Sequence, residues 1–429
     1  MLQNKKGFTL VELIVVMAVF MVVLMITGEA FKTVLQQTSK LFRSEESNIE
    51  GVVGLEILRH DLQQAGYGLY TEPLCTSNAY TGEAAAVPAS AYNEVARNVL
   101  DPCLSPPSTA SVSAVRLPPR AVVAGNNLAT VADTTSETAN TYNVLAGTDY
   151  LVLRGLTLGR SKASQRWTHL NFAASSVTPN NWLSASENFE SGDKVLLMRR
   201  KVTASVKTLT IEPEPTNGWF YIPFSNAAFS KYSTNYSNYV VYGLDDAATP
   251  RMPFNRSDYF VARPAAANAM PAVCAPNIGN LYKTTVNQAD GKLTYIPILD
   301  CVADMQVVFG WDLKIVTPTS TTDGQDGLID TWSSPDPNFR SGSASLANLQ
   351  AAMADPELLR SSLKMIKIYI LAQNGRIDTG YTSPSPIVVG DAGETSLTNS
   401  YDITAAGLQN YRWKVYRMII RPKNLASNQ

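Results

Sequence analysis

A single carboxylate inside an apolar stretch is the first feature of the sequence that could do chemistry. The run from Phe8 to Ile26 carries no charge other than Glu12. An ionisable group in such a run costs roughly 2.5–3.5 kcal/mol on entering a membrane and is usually functional. If the chain is cut between Gly7 and Phe8, the new α-amino group of Phe8 can pair with Glu12. Formed between neighbouring subunits, this pair would set the axial register of packed helices.

The same run predicts a membrane-spanning helix. At the helical rise its length is about 28 Å, close to the hydrocarbon thickness of a bilayer. Lys5 and Lys6 would hold the short leading end in the cytoplasm, with the polar remainder outside the inner membrane. A secretory signal peptide is one alternative, but Thr27-Gly28-Glu29-Ala30 is a poor cleavage site. A plain membrane anchor explains the length and gives no reason for Glu12.

These N-terminal residues closely resemble the prepilin signal of type IV pilins and pseudopilins. The segment Lys5-Lys6-Gly7, followed by Phe8-Thr9-Leu10-Val11-Glu12-Leu13, agrees with that signal at every position. The resemblance implies that a prepilin peptidase cuts after Gly7. It also implies that the new N-terminal residue, Phe8, is methylated.

Later segments resemble PilW-like minor pilins in patches. They are the end of the long helix (58–67), a central strand (301–312) and two closing strands (364–371 and 411–421). The sequence Arg421-Pro422-Lys423-Asn424 departs from the Arg-Asn ending that is usual in that family. Residues 70–142 match no family that we can name.

Four cysteines form two pairs with similar sequence spacing, Cys75 with Cys103 and Cys274 with Cys301. Free thiols or a metal site are alternatives. In an oxidising periplasm we expect two disulfides instead. Four cysteines allow three connectivities. We choose Cys75–Cys103 and Cys274–Cys301 because each closes a short loop.

The segment from Asp323 to Asp330, reading DGQDGLID, is similar to an acidic calcium loop. Calcium prefers carboxylate and carbonyl oxygens on a tightly turned chain, which makes Asp323, Asp326 and Asp330 the candidate ligands. Other ligand positions of a standard loop hold Thr322, Gly324 and Ser333, which fit poorly. We therefore favour a glycine-rich turn with solvated carboxylates over a calcium site.

The composition argues against several classes of function. Lys plus Arg number 35 and Asp plus Glu number 36, so nothing attracts nucleic acid to the chain as a whole. His60 and His169 are the only histidines, and no Cys-x-x-Cys pair occurs. The glycine segments at 155–160 and 390–395 lack the Gly-Lys-Ser/Thr ending of a phosphate loop. We expect no enzyme activity, no catalytic residue and no cofactor apart from the calcium alternative.

The candidate residues require a long helix joined to a β domain. Apolar residues recur at helical spacing up to Ala65, no proline interrupts 8–67, and Gly66 and Gly68 are plausible stops. The predicted fold class is α+β, with a long N-terminal helix packed on a large, mainly antiparallel β domain. The predicted divisions are a leader (1–7), the helix (8–66, with 8–26 in the membrane) and a β-rich domain (67–429).

Segments rich in β-branched and aromatic residues predict the strands of that domain. They are Asp149–Leu158, Asp193–Ile211, Asn238–Leu244, Asp258–Ala262, Leu293–Ile298, Val302–Leu313, Leu363–Ala372 and Tyr411–Arg421. A hairpin is predicted between Val195–Met198 and Thr203–Ile211, with its turn near 199–202. His169 falls in a Trp- and Asn-rich segment that we expect to be a loop.

The resemblance implies a minor pilin that primes pilus assembly near the tip and contributes to adhesion or twitching motility. Expected partners are the prepilin peptidase, other minor pilins, the major pilin, the inner-membrane assembly platform and a tip adhesin. The chain would lie in the inner membrane with a periplasmic domain before assembly, and on the cell surface afterwards. A J-type pseudopilin of type II secretion is one alternative. A membrane-anchored periplasmic binding protein or hydrolase is another, and it would need a deep polar pocket.

Overall fold

The computed structural model describes most of the chain. The described residues are 9–72, 74, 83, 92, 118–133, 141–173, 176–203, 206–232, 239–266, 269–313, 315–317, 320–322, 326–391, 397, 399–404 and 407–426. The chain divides into two compact units, Met1–Val52 and Val53–Gln429.

The described elements are five helices and twenty-one strands. The helices are α1 (Leu10–Gln64), α2 (Asn226–Phe229), α3 (Leu346–Ala354), α4 (Pro356–Ser362) and α5 (Lys423–Ala426). The first twelve strands are β1 (Val122–Gly125), β2 (Ala132–Asp133), β3 (Tyr142–Val144), β4 (Tyr150–Gly155), β5 (Trp167–Ala173), β6 (Ser176–Pro179), β7 (Lys194–Thr203), β8 (Val206–Ile211), β9 (Ile222–Pro223), β10 (Tyr239–Gly243), β11 (Asn255–Pro264) and β12 (Gly279–Val286). The others are β13 (Leu293–Trp311), β14 (Ile315–Thr317), β15 (Ser320–Thr322), β16 (Thr331–Ser333), β17 (Arg340–Gly342), β18 (Leu363–Asn374), β19 (Ile387–Val389), β20 (Asn399–Tyr401) and β21 (Arg412–Ile420).

Helix α1 has 55 residues and ends just before a glycine in a left-handed conformation. Gly66 has a φ of +84°, which a residue with a side chain rarely adopts, and its N–H donates to the Arg154 carbonyl at 2.8 Å. The long apolar helix followed by a large antiparallel β domain confirms the predicted fold class.

Two sheets make up most of the β domain, and their described strand pairings are antiparallel. The larger sheet runs β1-β4-β11-β12-β13-β16-β17, with β18 also paired to β13 and β21 to β18. The smaller sheet runs β6-β5-β10-β7-β8, with β9 paired to β7. Strand β13 joins the parts of the larger sheet, because its first half pairs with β12 and its second half with β18.

Three details of the predicted strands were wrong. The segments 293–298 and 302–313 belong to one strand, β13, with Cys301 at a φ of +54° where the two predictions were separated. The predicted turn at 199–202 lies inside β7, because pairing with β8 continues to Thr203 opposite Val206. His169 lies in strand β5 instead of a loop.

The last part of α1 is seated on the larger sheet by both apolar and polar contacts. Leu55, Leu58, Leu62 and Ala65 recur every three or four residues and are buried in the main core. Between them, the buried Asp61 accepts a hydrogen bond from the Tyr259 hydroxyl at 2.6 Å and lies 2.5 Å from Lys283 Nζ. A polar contact of this kind pairs the buried carboxylate and so limits the cost of its burial.

The smaller sheet has apolar side chains on both faces. Leu196 and Met198 of β7 join the main core that also buries the end of α1. The alternate residues Val195 and Leu197 pack instead with Phe229 of α2 in a separate cluster. Because alternate side chains point to opposite faces, the smaller sheet lies between the main core and this second cluster, which we call the outer cluster.

Two buried carboxylates hold loops against β13. Asp149 accepts the backbone N–H groups of Asn127 and Val307 at 2.9 and 2.7 Å. Asp304 accepts side-chain N–H groups of Gln306 and Asn399 at 2.9 and 2.8 Å. Burial raises the pKa of Asp149 to about 7 and that of Asp304 to about 6, although these hydrogen bonds oppose the shift.

We expect Gly54→Ala to destabilise the β domain. A Cβ at Gly54 would lie 1.7 Å from the Ile298 carbonyl oxygen, which belongs to rigid backbone of β13. Overpacking of this kind costs about 1–3 kcal/mol. The measurement is the thermal midpoint of the full chain in detergent. The control is Gly28→Ala, because a Cβ there meets nothing within 4 Å; equal midpoints for both variants would contradict the close approach.

We expect Asp149→Asn to flatten the pH dependence of stability. Because the folded state raises the pKa of Asp149 to about 7, it binds a proton that the unfolded state has released. The parent should therefore lose stability from this group as pH rises, by about 3 kcal/mol between about pH 4.5 and 7.5.

Equilibrium unfolding at both pH values, in parent and variant, measures this contribution. Asp246→Asn, at an exposed side chain, is the control. An unchanged pH slope in Asp149→Asn would mean that the Asp149 carboxyl does not take up a proton in this range.

Candidate functional site

The N-terminal end of α1 is the candidate site, and Glu12 caps this helix within its own chain. Thr9 N–H and Thr9 Oγ1 both donate to Glu12 Oε2 at 2.9 Å, and Glu12 N–H donates to Thr9 Oγ1 at 3.3 Å. This reciprocal arrangement is a capping box, which satisfies two backbone N–H groups at the start of the helix. The Thr-x-x-Glu spacing signals it, and the sequence analysis missed it. Gly7 and Phe8 lie outside the described residues.

The first part of α1, up to Leu35, exposes its apolar side chains. In the described chain, one helical segment is long and apolar enough to cross a membrane, Leu10–Leu35, and none of it is buried. Phe20, Met25 and Phe31 are each more than half exposed. An apolar surface of this extent needs lipid or other helices around it, because contact with water is unfavourable.

The threonine hydroxyls of this segment are bonded inside the helix. Thr27 Oγ1 donates to the Val23 carbonyl at 2.6 Å, and Thr33 Oγ1 donates to the Glu29 carbonyl at 3.0 Å. Hydroxyls bonded to the preceding turn need no water. The segment is therefore suited to apolar surroundings over most of its length.

Cys274 and Cys301 form a disulfide, with their Cα atoms 5.0 Å apart. Next to it, Cys301 N–H donates to Asn280 Oδ1 at 3.1 Å, and Ala275 N–H donates to Gln373 Oε1 at 2.7 Å. The bridge thereby ties the loop before β12 to the middle of β13. Cys75 and Cys103 lie outside the described residues, so a disulfide between them stays a prediction.

The candidate calcium ligands are held mainly by backbone N–H groups. Asp326 Oδ1 accepts from Leu328 N–H at 2.8 Å, and Asp330 Oδ2 accepts from Leu313 N–H at 3.0 Å. Asp323 lies outside the described residues. Within the described part of the chain, no group of three or more His, Cys, Asp or Glu side chains could hold a metal. Calcium binding therefore stays the less favoured of the two interpretations of this segment.

Two clusters of basic residues, at 199–201 and 412–417, make ion pairs within the β domain. Arg199 Nε lies 2.6 Å from Oε1 of Glu212, the residue after β8, and Lys201 Nζ lies 3.4 Å from Glu72 Oε2. Arg412 and Arg417 pair with Asp378 and Asp391 at 3.2 and 2.9 Å. These contacts give the clusters a structural role in joining strands and loops.

A buried charge network was missed by the sequence analysis. Glu83 is fully buried and binds both Arg154 of β4 and Arg256 of β11. Arg256 also binds Asp258 through two hydrogen bonds, at 2.7 and 2.8 Å. The two positive and two negative groups balance, which limits the cost of burying them. No sequence pattern signals this network, because Glu83 is far from both arginines along the chain.

Comparisons with known proteins match only the N-terminal end. The family description of the prokaryotic N-terminal methylation motif matches residues 2–28. Searches of curated protein sequences and of solved structures give no match. The motif is a prepilin-type signal, and it supports a type IV pilin-like or pseudopilin-type protein. Together with the apolar segment of α1, it supports membrane anchoring.

Proposed function

We propose that this chain is a PilW-like minor pilin, which primes assembly of a type IV pilus within a tip-proximal complex and contributes to adhesion or twitching motility. The observation that carries the proposal is the exposed apolar segment Leu10–Leu35, whose first part lies within the methylation motif at residues 2–28. Such a segment can leave lipid for the core of a helical filament at little cost, since both surroundings are dry.

The size of the β domain favours a minor subunit. Val53–Gln429 forms one compact unit that contains two large sheets. Close packing of apolar helices in a fibre leaves little space for so large a domain at every repeat. We therefore infer a few copies near the tip, where the domain has room.

Glu12 supports assembly beneath another subunit. Before cleavage it caps α1 through Thr9. After cleavage at Gly7, the amine of Phe8 in a neighbouring subunit offers a positive partner that the capping box lacks. We propose that this pair sets the axial position of each subunit.

The partners and location follow from this role. We propose that the prepilin peptidase, other minor pilins, the major pilin, the inner-membrane platform and a tip adhesin meet this chain. It waits in the inner membrane with the β domain in the periplasm and moves to the cell surface on assembly. A J-type pseudopilin of type II secretion shares the methylation motif, and identification of the proteins that co-purify with sheared fibres separates the two.

We expect Gly7→Val to block processing, because a side chain at the cleavage position interferes with the prepilin peptidase. The precursor should stay in the membrane and be absent from sheared fibres. Mass spectrometry of the N-terminus is the measurement: the parent should begin at methylated Phe8, and the variant should retain the leader. Gln3→Ala, within the leader, is the control. Normal fibre incorporation of an uncut chain would contradict the proposed mechanism.

We expect Glu12→Leu and Thr9→Val to differ in their effect on assembly. Glu12→Leu removes the carboxylate and should reduce the chain in sheared fibres at least about tenfold, the factor that corresponds to about 1.4 kcal/mol. Thr9→Val removes only the hydroxyl contacts and should leave incorporation nearly unchanged. The measurement is the ratio of chain in fibres to chain in membranes. Equal losses in both variants would mean that Glu12 acts through helix capping alone.

A further inference from the structure

One end of the smaller sheet exposes an uncharged aromatic and amide surface. Along β5, alternate residues lie on one face of the sheet, and on this face they are exposed or half-buried. The opposite face carries Leu170 and Phe172, which pack in the outer cluster. We call the exposed group the β5 surface, and it consists of Trp167, His169, Asn171, Thr178, Asn180 and Trp182.

The two tryptophans form the apolar part of the β5 surface. Trp167 is 45% exposed. The ring centroids of Trp167 and Trp182 are 5.1 Å apart at an interplanar angle of 62°. The His169 ring lies 5.9 Å from Trp182. Because of this angle, the two indole rings meet as a corner and do not form one flat surface.

Backbone and side-chain hydrogen bonds hold this corner in place. Trp182 Nε1 donates to the Trp167 carbonyl at 2.9 Å. Asn188 binds the backbone of Trp182 on both sides, accepting at 2.7 Å and donating at 3.0 Å. Asn180 N–H donates to the His169 carbonyl at 2.9 Å. The surface is therefore largely formed before any ligand arrives, which lowers the entropic cost of binding.

The amides of the β5 surface have hydrogen-bonding capacity to spare. Asn171 Nδ2 lies 3.4 Å from Asn180 Oδ1, and among the described residues this is the one side-chain hydrogen bond of either amide. Each amide carries one acceptor oxygen and two donor hydrogens. His169 adds ring nitrogens that bind no described residue. These groups suit a ligand with several adjacent hydroxyls.

The β5 surface has no charged side chain, and this makes several classes of ligand unfavourable. None of the six side chains is a Lys, Arg, Asp or Glu. Phosphate and nucleic-acid ligands favour cationic partners, and His169 alone offers too few donors for a metal ion. A sugar ring has an apolar C–H face for an indole and hydroxyls at its edge for amides. A protein partner would have to place matching polar groups opposite Asn171 and Asn180, because amides buried in an interface without hydrogen bonds are costly.

We propose that the β5 surface binds a neutral oligosaccharide. Trp167 and Trp182 stack on C–H faces of the sugar, and Asn171 and Asn180 bind its hydroxyls. The inference does not depend on pilus assembly, because the whole surface lies within Val53–Gln429.

The test is a titration of the full chain in a detergent without a sugar headgroup. Cellohexaose, chitohexaose and mannohexaose are the probes, and calorimetry with tryptophan fluorescence is the readout. At least one probe should bind with a Kd below about 1 mM. Trp167→Ala and Asn171→Ala should each raise that Kd about tenfold or more, whereas Trp167→Phe should retain most of the affinity.

Trp219→Ala is the matched control, because Trp219 is 39% exposed but stacks on Tyr221 outside the β5 surface. It should leave sugar binding unchanged. Asn171→Ala affects an exposed side chain, so circular dichroism should show a folded variant. Three results would each overturn the proposal: binding of none of the probes, binding unaffected by Trp167→Ala and Asn171→Ala, or tighter binding of an anionic heparin hexasaccharide. If none of the sugars bound the parent chain and Trp167→Ala instead abolished binding of a protein, the surface would be assigned to a protein partner.

Discussion

The exposed apolar side chains of α1 between Leu10 and Leu35 impose the strongest constraint on the molecule. A single chain in water offers them nothing to pack against. The hydroxyls of Thr27 and Thr33 bond to the helix backbone, and Thr9 and Glu12 bond to each other at the start of the helix, so these polar groups need no solvent. Its stable surroundings are lipid or other apolar helices. Membrane anchoring and assembly are two ways of meeting this one requirement.

The C-terminal end of α1, in contrast, is buried against its own β domain. Leu58 and Leu62 are fully buried against the larger sheet, and Asp61 binds Tyr259 and Lys283. Gly54 allows the helix to approach β13 at backbone distance. These contacts lie within Val53–Gln429 and define how the helix joins its own β domain. Helix α1 therefore has one segment for outside partners and one for its own fold.

The features that could be predicted from the sequence are those with a local pattern. The apolar run is readable from its length and composition, the leader from its motif, and strands such as β18 and β21 from their β-branched and aromatic residues. The Thr-x-x-Glu spacing of Thr9 and Glu12 is a local pattern too, and it indicates the capping box at the start of α1. Strand β5 was missed because its apolar alternation is limited to Leu170 and Phe172, and the aromatic and amide residues around them also occur in loops. Glu83 with its arginines, and Asp149 with its backbone donors, join residues distant in sequence, and no local pattern reports such contacts.

The continuity of α1 has a mechanical consequence. A pulling force on the N-terminal end of the helix passes along its hydrogen-bonded backbone to the residues seated on the sheet. There it is shared among Leu55, Leu58, Leu62 and the Asp61–Lys283 ion pair, and no single contact bears it alone. The adjoining strand β13 spreads the tension further, because it pairs with both β12 and β18. Detachment of the β domain under traction would then require several buried contacts to fail together.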